Sequence, residues 1–278
     1  MSDHVTAPDH GTTHDTIPAA AALAAAAERT AQLMREVTNP AAPVPGLSWT
    51  AAELAAHVVA DLRTYTGVVA GQGPVAAPGT ASAAELGTAE NQRQLAEYPE
   101  RSLDRLAAEL TRAMPAFITA AEATPPGAQV GSPIGVAMTP PQVAAIVLGE
   151  QLIHGLDLAR AVGRPWPIGR ADARLVIPGV VELLPAYLDR DQARGLQARY
   201  ELRFGGDLRY QLAIDDGTAT VTPGTGRADC VITADPVTFL LVGYGRISQW
   251  GPMLRGQLRA GGRKPWLGFK FGKLTVSP

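Results

Sequence analysis

One segment of the sequence combines helical periodicity with chemically reactive side chains, and it reads Glu150-Gln151-Leu152-Ile153-His154-Gly155-Leu156-Asp157-Leu158-Ala159-Arg160-Ala161. It follows Thr139-Pro140-Pro141, and proline at the first positions of a helix loses no hydrogen bond. The pattern therefore predicts a long helix over residues 142–162. Glu150 and His154 are four residues apart on it, so their side chains project from one face and can bind one metal ion together.

Three more long helices are predicted upstream of this segment. Residues 17–37 carry apolar side chains at helical spacing. Residues 50–70 begin with Thr50, a good helix cap, and place Glu53 in the first turn. Residues 100–122 are the third predicted helix, which Pro115 is expected to kink. Four long helices joined by loops predict an all-α four-helix bundle over residues 17–165.

The histidines suggest a metal site in this bundle. Of the five histidines, only His57 and His154 lie beyond residue 14, and His57 falls on the predicted helix over residues 50–70. If all three side chains face the interior, His57, Glu150 and His154 form a site of two histidines and one carboxylate, with positions open for water or substrate. The alternative is that Glu150 and His154 are only a helical pair and that His57 is a hydrogen-bonded core residue.

Residues 163–169 form a predicted linker rich in glycine and proline, and after it the pattern of long helices gives way to short alternating segments typical of strands. A helix is predicted over residues 171–188, followed by a small antiparallel sheet with strands at 197–204, 210–214, 219–222 and 230–233. Asp215-Asp216-Gly217 is a predicted hairpin turn. A helix from Asp235, a short helix over 247–257 and a last strand at 267–271 complete a small α+β domain over residues 170–278. Residues 1–16 are predicted to be a flexible tail.

Composition excludes several classes of function. Lys and Arg number 24 against 26 Asp and Glu, a net charge of −2, which provides no field to attract nucleic acid. No stretch reaches the ~18 apolar residues of a membrane span. The single cysteine, Cys230, excludes intrachain disulfides and is predicted to be a buried core residue. These features indicate a soluble, cytoplasmic protein.

Two segments resemble a known family, the mycothiol-dependent maleylpyruvate isomerases. They are Leu47-Ser48-Trp49-Thr50-Ala51-Ala52-Glu53-Leu54-Ala55-Ala56-His57 and the segment from Glu150 to Ala161. The family joins a DinB-like four-helix bundle to a C-terminal domain similar to sterol carrier protein 2 (SCP2-like), so the resemblance implies this two-domain fold. It also implies that His57, Glu150 and His154 bind zinc and that mycothiol is the thiol cofactor. The Arg-rich, Lys-poor composition fits an actinobacterial host that makes mycothiol.

The resemblance suggests roles for two further residues, each with a structural alternative. Asp157 either orients a metal ligand by accepting a hydrogen bond or pairs with Arg160 or Arg164 on the helix surface. Arg246 matches an arginine that faces the metal site in the isomerase, where it would hold a substrate carboxylate. Its alternative is a surface arginine near a helix C-terminus.

Two other features are interpreted as structural. Asp61, four residues after His57, either orients a ligand by accepting a hydrogen bond or is a solvated carboxylate, and we expect the second. Near the chain end, the aromatic residues Trp250, Trp266, Phe269 and Phe271 can line an apolar tunnel, but we expect ordinary core residues.

These inferences predict a zinc-dependent enzyme that uses mycothiol. By resemblance, the thiolate would add to a cis double bond of a maleylpyruvate-like substrate, allow rotation and leave to give the trans isomer. One alternative is a mycothiol S-transferase, in which the thiol stays attached to an electrophile. Another is a non-catalytic protein that binds an apolar ligand. The expected partners are a small-molecule substrate and a low-molecular-weight thiol, and the expected assembly is a monomer or small homo-oligomer.

Overall fold

The structure is a computed structural model that describes residues 17–73 and 81–276; the predicted tail at 1–16 lies outside this range. The first part is helical and comprises α1 (Ala20–Glu36), α2 (Ala51–Val69), α3 (Ala83–Glu97), α4 (Leu103–Ala123) and α5 (Pro140–Ala161). The second part comprises α6 (Arg170–Leu183), α7 (Arg190–Ala193), β1 (Gln197–Arg203), β2 (Arg209–Asp215), β3 (Thr218–Pro223), β4 (Cys230–Ala234), α8 (Pro236–Gly243), α9 (Trp250–Leu254), β5 (Leu258–Gly261) and α10 (Leu267–Phe271).

The helices α1, α2, α4 and α5 pack against one another and correspond to the four predicted helices. Their shared core is apolar and fully buried, as at Leu23, Leu54, Leu110 and Leu148. The start of α2 is fixed by a capping box: Thr50 Oγ1 accepts from the Glu53 amide, and the Glu53 carboxylate accepts from the Thr50 amide. This cap sets the turn of α2 on which His57 lies.

The sequence analysis missed α3. This helix packs on the side of α2 and begins with its own capping box, formed by Ser82 and Glu85. Its buried residues are Ala83 and Gln94, so it lacks the apolar stripe from which the other helices were predicted. The helical part therefore has five helices within the described residues.

The second part contains a five-stranded sheet in the order β3-β2-β1-β4-β5. The pair β1 and β4 is parallel and the other pairs are antiparallel, so the sheet is mixed rather than antiparallel as predicted. The predicted hairpin turn joins β2 to β3, with positive φ at Asp216 (44°) and Gly217 (82°). Two adjacent residues of this kind are typical of tight hairpins.

Three predictions near the chain end were wrong or incomplete. The strand predicted at residues 267–271 is the helix α10, the short helix predicted over 247–257 is limited to α9, and β5 was not predicted. Of the four aromatic residues expected in the core, Trp250, Trp266 and Phe269 are exposed. Cys230 is buried, as expected.

The two parts are connected by α6, which packs against α5 on one side and α8 on the other. This contact brings the C-terminal end of α8 close to the middle of α5, where Glu150 lies. Among residues 17–73 and 81–276, no helix is both long and apolar enough to cross a membrane.

Candidate metal centre

Three side chains from two helices meet inside the helical part. His57 comes from α2, and Glu150 and His154 come from α5; their potential ligand atoms all lie within 4.8 Å of one another. His154 Nε2 is 3.0 Å from Glu150 Oε2. The rings of His57 and His154 are perpendicular, with centroids 5.0 Å apart. The three residues that the sequence analysis grouped are therefore neighbours in space.

The cluster is shielded from solvent. His57 is 2% exposed and His154 is 9% exposed. Trp49, which precedes α2, stacks obliquely on the cluster with its ring centroid 4.8 Å from that of His57 and 6.4 Å from that of His154. Charged groups in such a site interact strongly because little water screens them.

The residues fit a divalent metal ion. Two imidazoles and one carboxylate are donors that zinc accepts, and three protein ligands leave one coordination position for a thiol or a water. Within the described part of the chain, His57 Nδ1 is buried without a hydrogen-bond partner, whereas buried polar atoms normally have one. Burial and the neighbouring His154 lower the pKa of His57 to about 3. The ring is thus neutral, as a metal ligand must be.

A chain of polar contacts connects His154 to the C-terminal part. His154 Nδ1 lies 3.2 Å from Asp157 Oδ2. On its other side Asp157 accepts two close hydrogen bonds from Arg246, from Nε at 2.9 Å and from Nη2 at 2.6 Å. The remaining nitrogen of Arg246, Nη1, donates to the carbonyl oxygen of Tyr244 at 2.6 Å. Asp157 therefore lies between a histidine of the cluster and an arginine that follows α8.

Of the two alternatives for Asp157, this position fits the one in which its carboxylate accepts a hydrogen bond from a histidine of the cluster. Its partners are His154 and Arg246, whereas Arg160 and Arg164 interact with the Arg246 carbonyl and with Glu36. The side chain of Asp157 is 1% exposed and that of Arg246 is 15% exposed. A carboxylate in this position fixes the orientation of the imidazole, and His154 Nε2 is turned toward Glu150.

The ionisation of the cluster follows from these contacts. Burial lowers the pKa of His154, but hydrogen bonds with Asp157 and Glu150 outweigh it and raise that pKa to about 9. Burial likewise opposes ionisation of Glu150, yet His154 holds the carboxyl pKa below its usual value. Without a metal, His154 and Glu150 therefore form a buried ion pair, with a proton held where a divalent cation would bind.

Asp61 is not the solvated carboxylate that the sequence analysis expected. It is 8% exposed, because α3 covers this side of α2, and Gln94 Nε2 lies 3.4 Å from Asp61 Oδ1. Burial, and then the charge of Glu150, raise the pKa of Asp61 well above its usual value. This buried acid lies near the cluster without belonging to it.

The sequence analysis missed two contributors to this environment. Trp49 belongs to the segment that carries the resemblance, but no role was assigned to it. Gln94 was missed because its helix was missed. A signal for α3 was present, since Ser82 and Glu85 have the spacing of a capping box.

Comparisons with known proteins agree with this geometry. Residues 23–159 match the family model described as Mycothiol maleylpyruvate isomerase N-terminal domain. This range includes all three residues of the cluster and Asp157. No curated protein sequence matches the chain significantly.

Solved structures show the same fold over most of the chain. A crystal structure of a mycothiol-dependent maleylpyruvate isomerase aligns with a TM-score of 0.50 and 15% identity, covering 90% of this chain and 96% of that chain. A histidine-to-alanine mutant of such an enzyme gives a TM-score of 0.52 and 14% identity over the same shares.

A third structure, the stereoselective inverting sec-alkylsulfatase Pisa1 from Pseudomonas sp., is 18% identical, with a TM-score of 0.33. The alignment covers 49% of this chain and 25% of that chain. The match over residues 23–159 covers the helical part that holds the buried cluster of two histidines and a glutamate. This region of the chain belongs to the mycothiol maleylpyruvate isomerase N-terminal domain family.

Proposed function

We propose that this protein is a zinc-dependent enzyme that uses mycothiol to attack an activated double bond. The observation that carries the proposal is the buried meeting of His57, Glu150 and His154, whose donor atoms lie within 4.8 Å of one another. Zinc bound by these three residues would lower the pKa of a thiol in the open position, so that a thiolate nucleophile is available at neutral pH.

In this proposal, the protein's residues prepare the site rather than perform the bond chemistry. Asp157 accepts the hydrogen bond of His154 Nδ1 and so directs Nε2 toward Glu150. Arg246 holds Asp157 in place with two parallel hydrogen bonds. Trp49 covers the two histidines and excludes water from the site.

Arg246 therefore receives a positioning role in our proposal. The sequence analysis expected it to bind a substrate carboxylate. In the structure, the Nε and Nη2 edge of the guanidinium, which would bind such a group in parallel, is already used by Asp157. A lysine at this position would keep the charge but lose the parallel pair of hydrogen bonds.

Two outcomes of the reaction share the first step. In a cis–trans isomerisation the thiolate would add to the double bond, and after rotation about the resulting single bond it would leave again, so that no proton is gained or lost. In an S-transfer the C–S bond would remain, and the proton given up by the thiol would be replaced by one on the carbon next to the carbonyl group. S-transfer is the second candidate because this reaction does not require a side chain that binds a substrate carboxylate. In the structure, the edge of Arg246 that could bind a carboxylate is occupied by Asp157.

The test is to incubate zinc-loaded protein with mycothiol and maleylpyruvate. An isomerase yields fumarylpyruvate and leaves the free thiol concentration unchanged, whereas an S-transferase consumes thiol in the presence of an electrophile such as 2-cyclohexen-1-one. His57→Ala should abolish either activity, and Asp207→Asn, a change at a fully exposed surface site, should abolish neither. If neither substrate reacts, the proposed function is wrong.

A further inference from the structure

A cavity lies between the helical part and the C-terminal part and reaches the candidate metal centre. Its volume is about 170 Å³, and Glu150 forms part of its wall. Residues from α5 and α6 line one side, and residues from β4, β5, α8 and α10 line the other. A molecule in this cavity would therefore be next to the position that the thiol is proposed to occupy.

The wall of this cavity is mainly apolar. Ile146, Val180 and Leu183 contribute on the helical side. Ile232, Phe239 and Val242 contribute on the opposite side. Pockets of this composition bind ligands by burial of apolar surface and use a few polar groups to fix orientation.

Three tyrosines, Tyr65, Tyr187 and Tyr244, supply such polar groups. Tyr65 and Tyr244 are each 7% exposed. In the described ranges, burial and neighbouring charges raise the pKa of each of the three hydroxyls, and no hydrogen bond is among the causes. A buried tyrosine hydroxyl usually finds a partner, so these groups are available to donate to an acceptor on a ligand.

The charges around the cavity do not suit a compact dianion. Burial, and with it the charge of Glu150, raises the pKa of Tyr65 and of Tyr244 well above the usual value. The hydroxyls thus remain neutral donors. Of the arginines nearby, Arg246 is bound by Asp157. Arg259 is part of the cavity wall, but it is exposed to solvent and its Nε donates to the carbonyl oxygen of Gly256.

Zinc and mycothiol, the proposed cofactors, would add no net positive charge next to the cavity. A divalent ion that binds one carboxylate and one thiolate has its charge neutralised by them. Among the described lining residues, Arg259 is then the one positive side chain. It can compensate one carboxylate but not two, and burying an unpaired charge is very costly.

We propose that the second substrate is an uncharged, mainly apolar electrophile about as large as a six-membered ring, with one carbonyl oxygen that accepts a hydrogen bond from the tyrosines. The size follows from the cavity volume, since an engineered cavity of ~150 Å³ accommodates benzene. This inference rests on the proposed function, because it names what the activated thiol would attack.

The test is equilibrium binding to the metal-free protein, measured by titration calorimetry without mycothiol, so that maleate has no metal ion to bind. Cyclohexanone is the probe for the proposed class, and maleate is the probe for a compact dianion. Cyclohexanone should bind at least ~10-fold more tightly than maleate. At least one of Tyr65→Phe, Tyr187→Phe and Tyr244→Phe should weaken cyclohexanone binding by about 5-fold, the effect of one lost hydrogen bond, without weakening cyclohexane binding.

Tyr210→Phe is the matched control, since Tyr210 is buried on β2 outside the residues that line the cavity. It should leave both affinities unchanged. Maleate binding as tight as that of cyclohexanone would overturn the inference, as would cyclohexanone binding that none of the three cavity variants affects. Because thiol is absent from this experiment, failure here is distinct from failure of thiol turnover, which would refute the proposed function itself.

Discussion

Replacing Asp157 with asparagine tests the link between Arg246 and His154. The asparagine side chain would preserve the shape but remove the charge that accepts hydrogen bonds from Arg246 at 2.6 and 2.9 Å. The side chains of Asp157 and Arg246 are 1% and 15% exposed, so solvent screens their interaction weakly. Breaking a buried pair typically costs ~3–5 kcal/mol, and an amide oxygen that still accepts one bond places the expected loss near the lower end, about 3 kcal/mol.

Two assays measure the consequences of Asp157→Asn. In thermal unfolding, a loss of about 3 kcal/mol predicts a Tm lower by roughly 6–12 °C for a chain of this size. In metal titrations, loss of the carboxylate behind His154 should weaken zinc binding by about 10–100-fold.

Asp207→Asn is the control for that experiment. Asp207 also pairs with an arginine, at 3.3 Å from Arg174 Nη2, but its side chain is 98% exposed. We expect no measurable change in Tm or zinc affinity, because exposed pairs contribute little. A Tm and a zinc affinity for Asp157→Asn equal to those of wild type would refute the reasoning about the buried pair.

Three further predictions follow from the same structure. Zinc binding near pH 7.5 should release about one proton, because His154, with a pKa of about 9 in the metal-free protein, must lose its proton. Zinc affinity should therefore rise about 10-fold per pH unit up to about pH 9; equal calorimetric enthalpies in buffers of different ionisation enthalpy would contradict this. Gly155→Ala should lower stability by ~1–3 kcal/mol because a methyl group there overlaps the Trp166 ring. Gly127→Ala, which meets no atom within 4 Å, is its control in urea unfolding, and equal midpoints would refute the packing argument. Thr50→Ala should cost ~1 kcal/mol by removing the cap of α2 while zinc affinity stays unchanged; unchanged stability would show that this cap contributes nothing.

The grouping of His57, Glu150 and His154 could be predicted from the sequence because their spacing and rarity are local properties. Glu150 and His154 are four residues apart on a well-marked helix, and His57 lies on another. The contact between Asp157 and Arg246 joins residues 89 positions apart, so no local pattern indicates it. Only the resemblance assigned both residues to the same site.

The failures of the sequence analysis have physical causes. Burial of Asp61 depends on α3, whose polar surface gives no helical stripe of apolar residues. The alternation Phe269-Lys270-Phe271 is typical of a strand, but this segment forms a short helix that packs on β4 and β5. The edge strand β5 contains two of the residues least typical of strands, alanine and glycine, and its conformation depends on pairing with β4.

The cavity also could not be predicted from sequence patterns. Its tyrosines come from α2, from the segment after α6 and from the end of α8. Their proximity depends on how α6 packs between the two parts of the chain. In sequence, each of them resembles an ordinary half-buried aromatic residue.

The central claim is that His57, Glu150 and His154 bind a zinc ion, and metal analysis tests it most directly. Zinc bound per chain is measured by mass spectrometry after dialysis, for wild type and for His154→Ala, with folding of both checked by circular dichroism. We predict one zinc per chain in the wild type and loss of that equivalent in the folded variant. Equal zinc content in both proteins, whether negligible or not, would contradict the assignment.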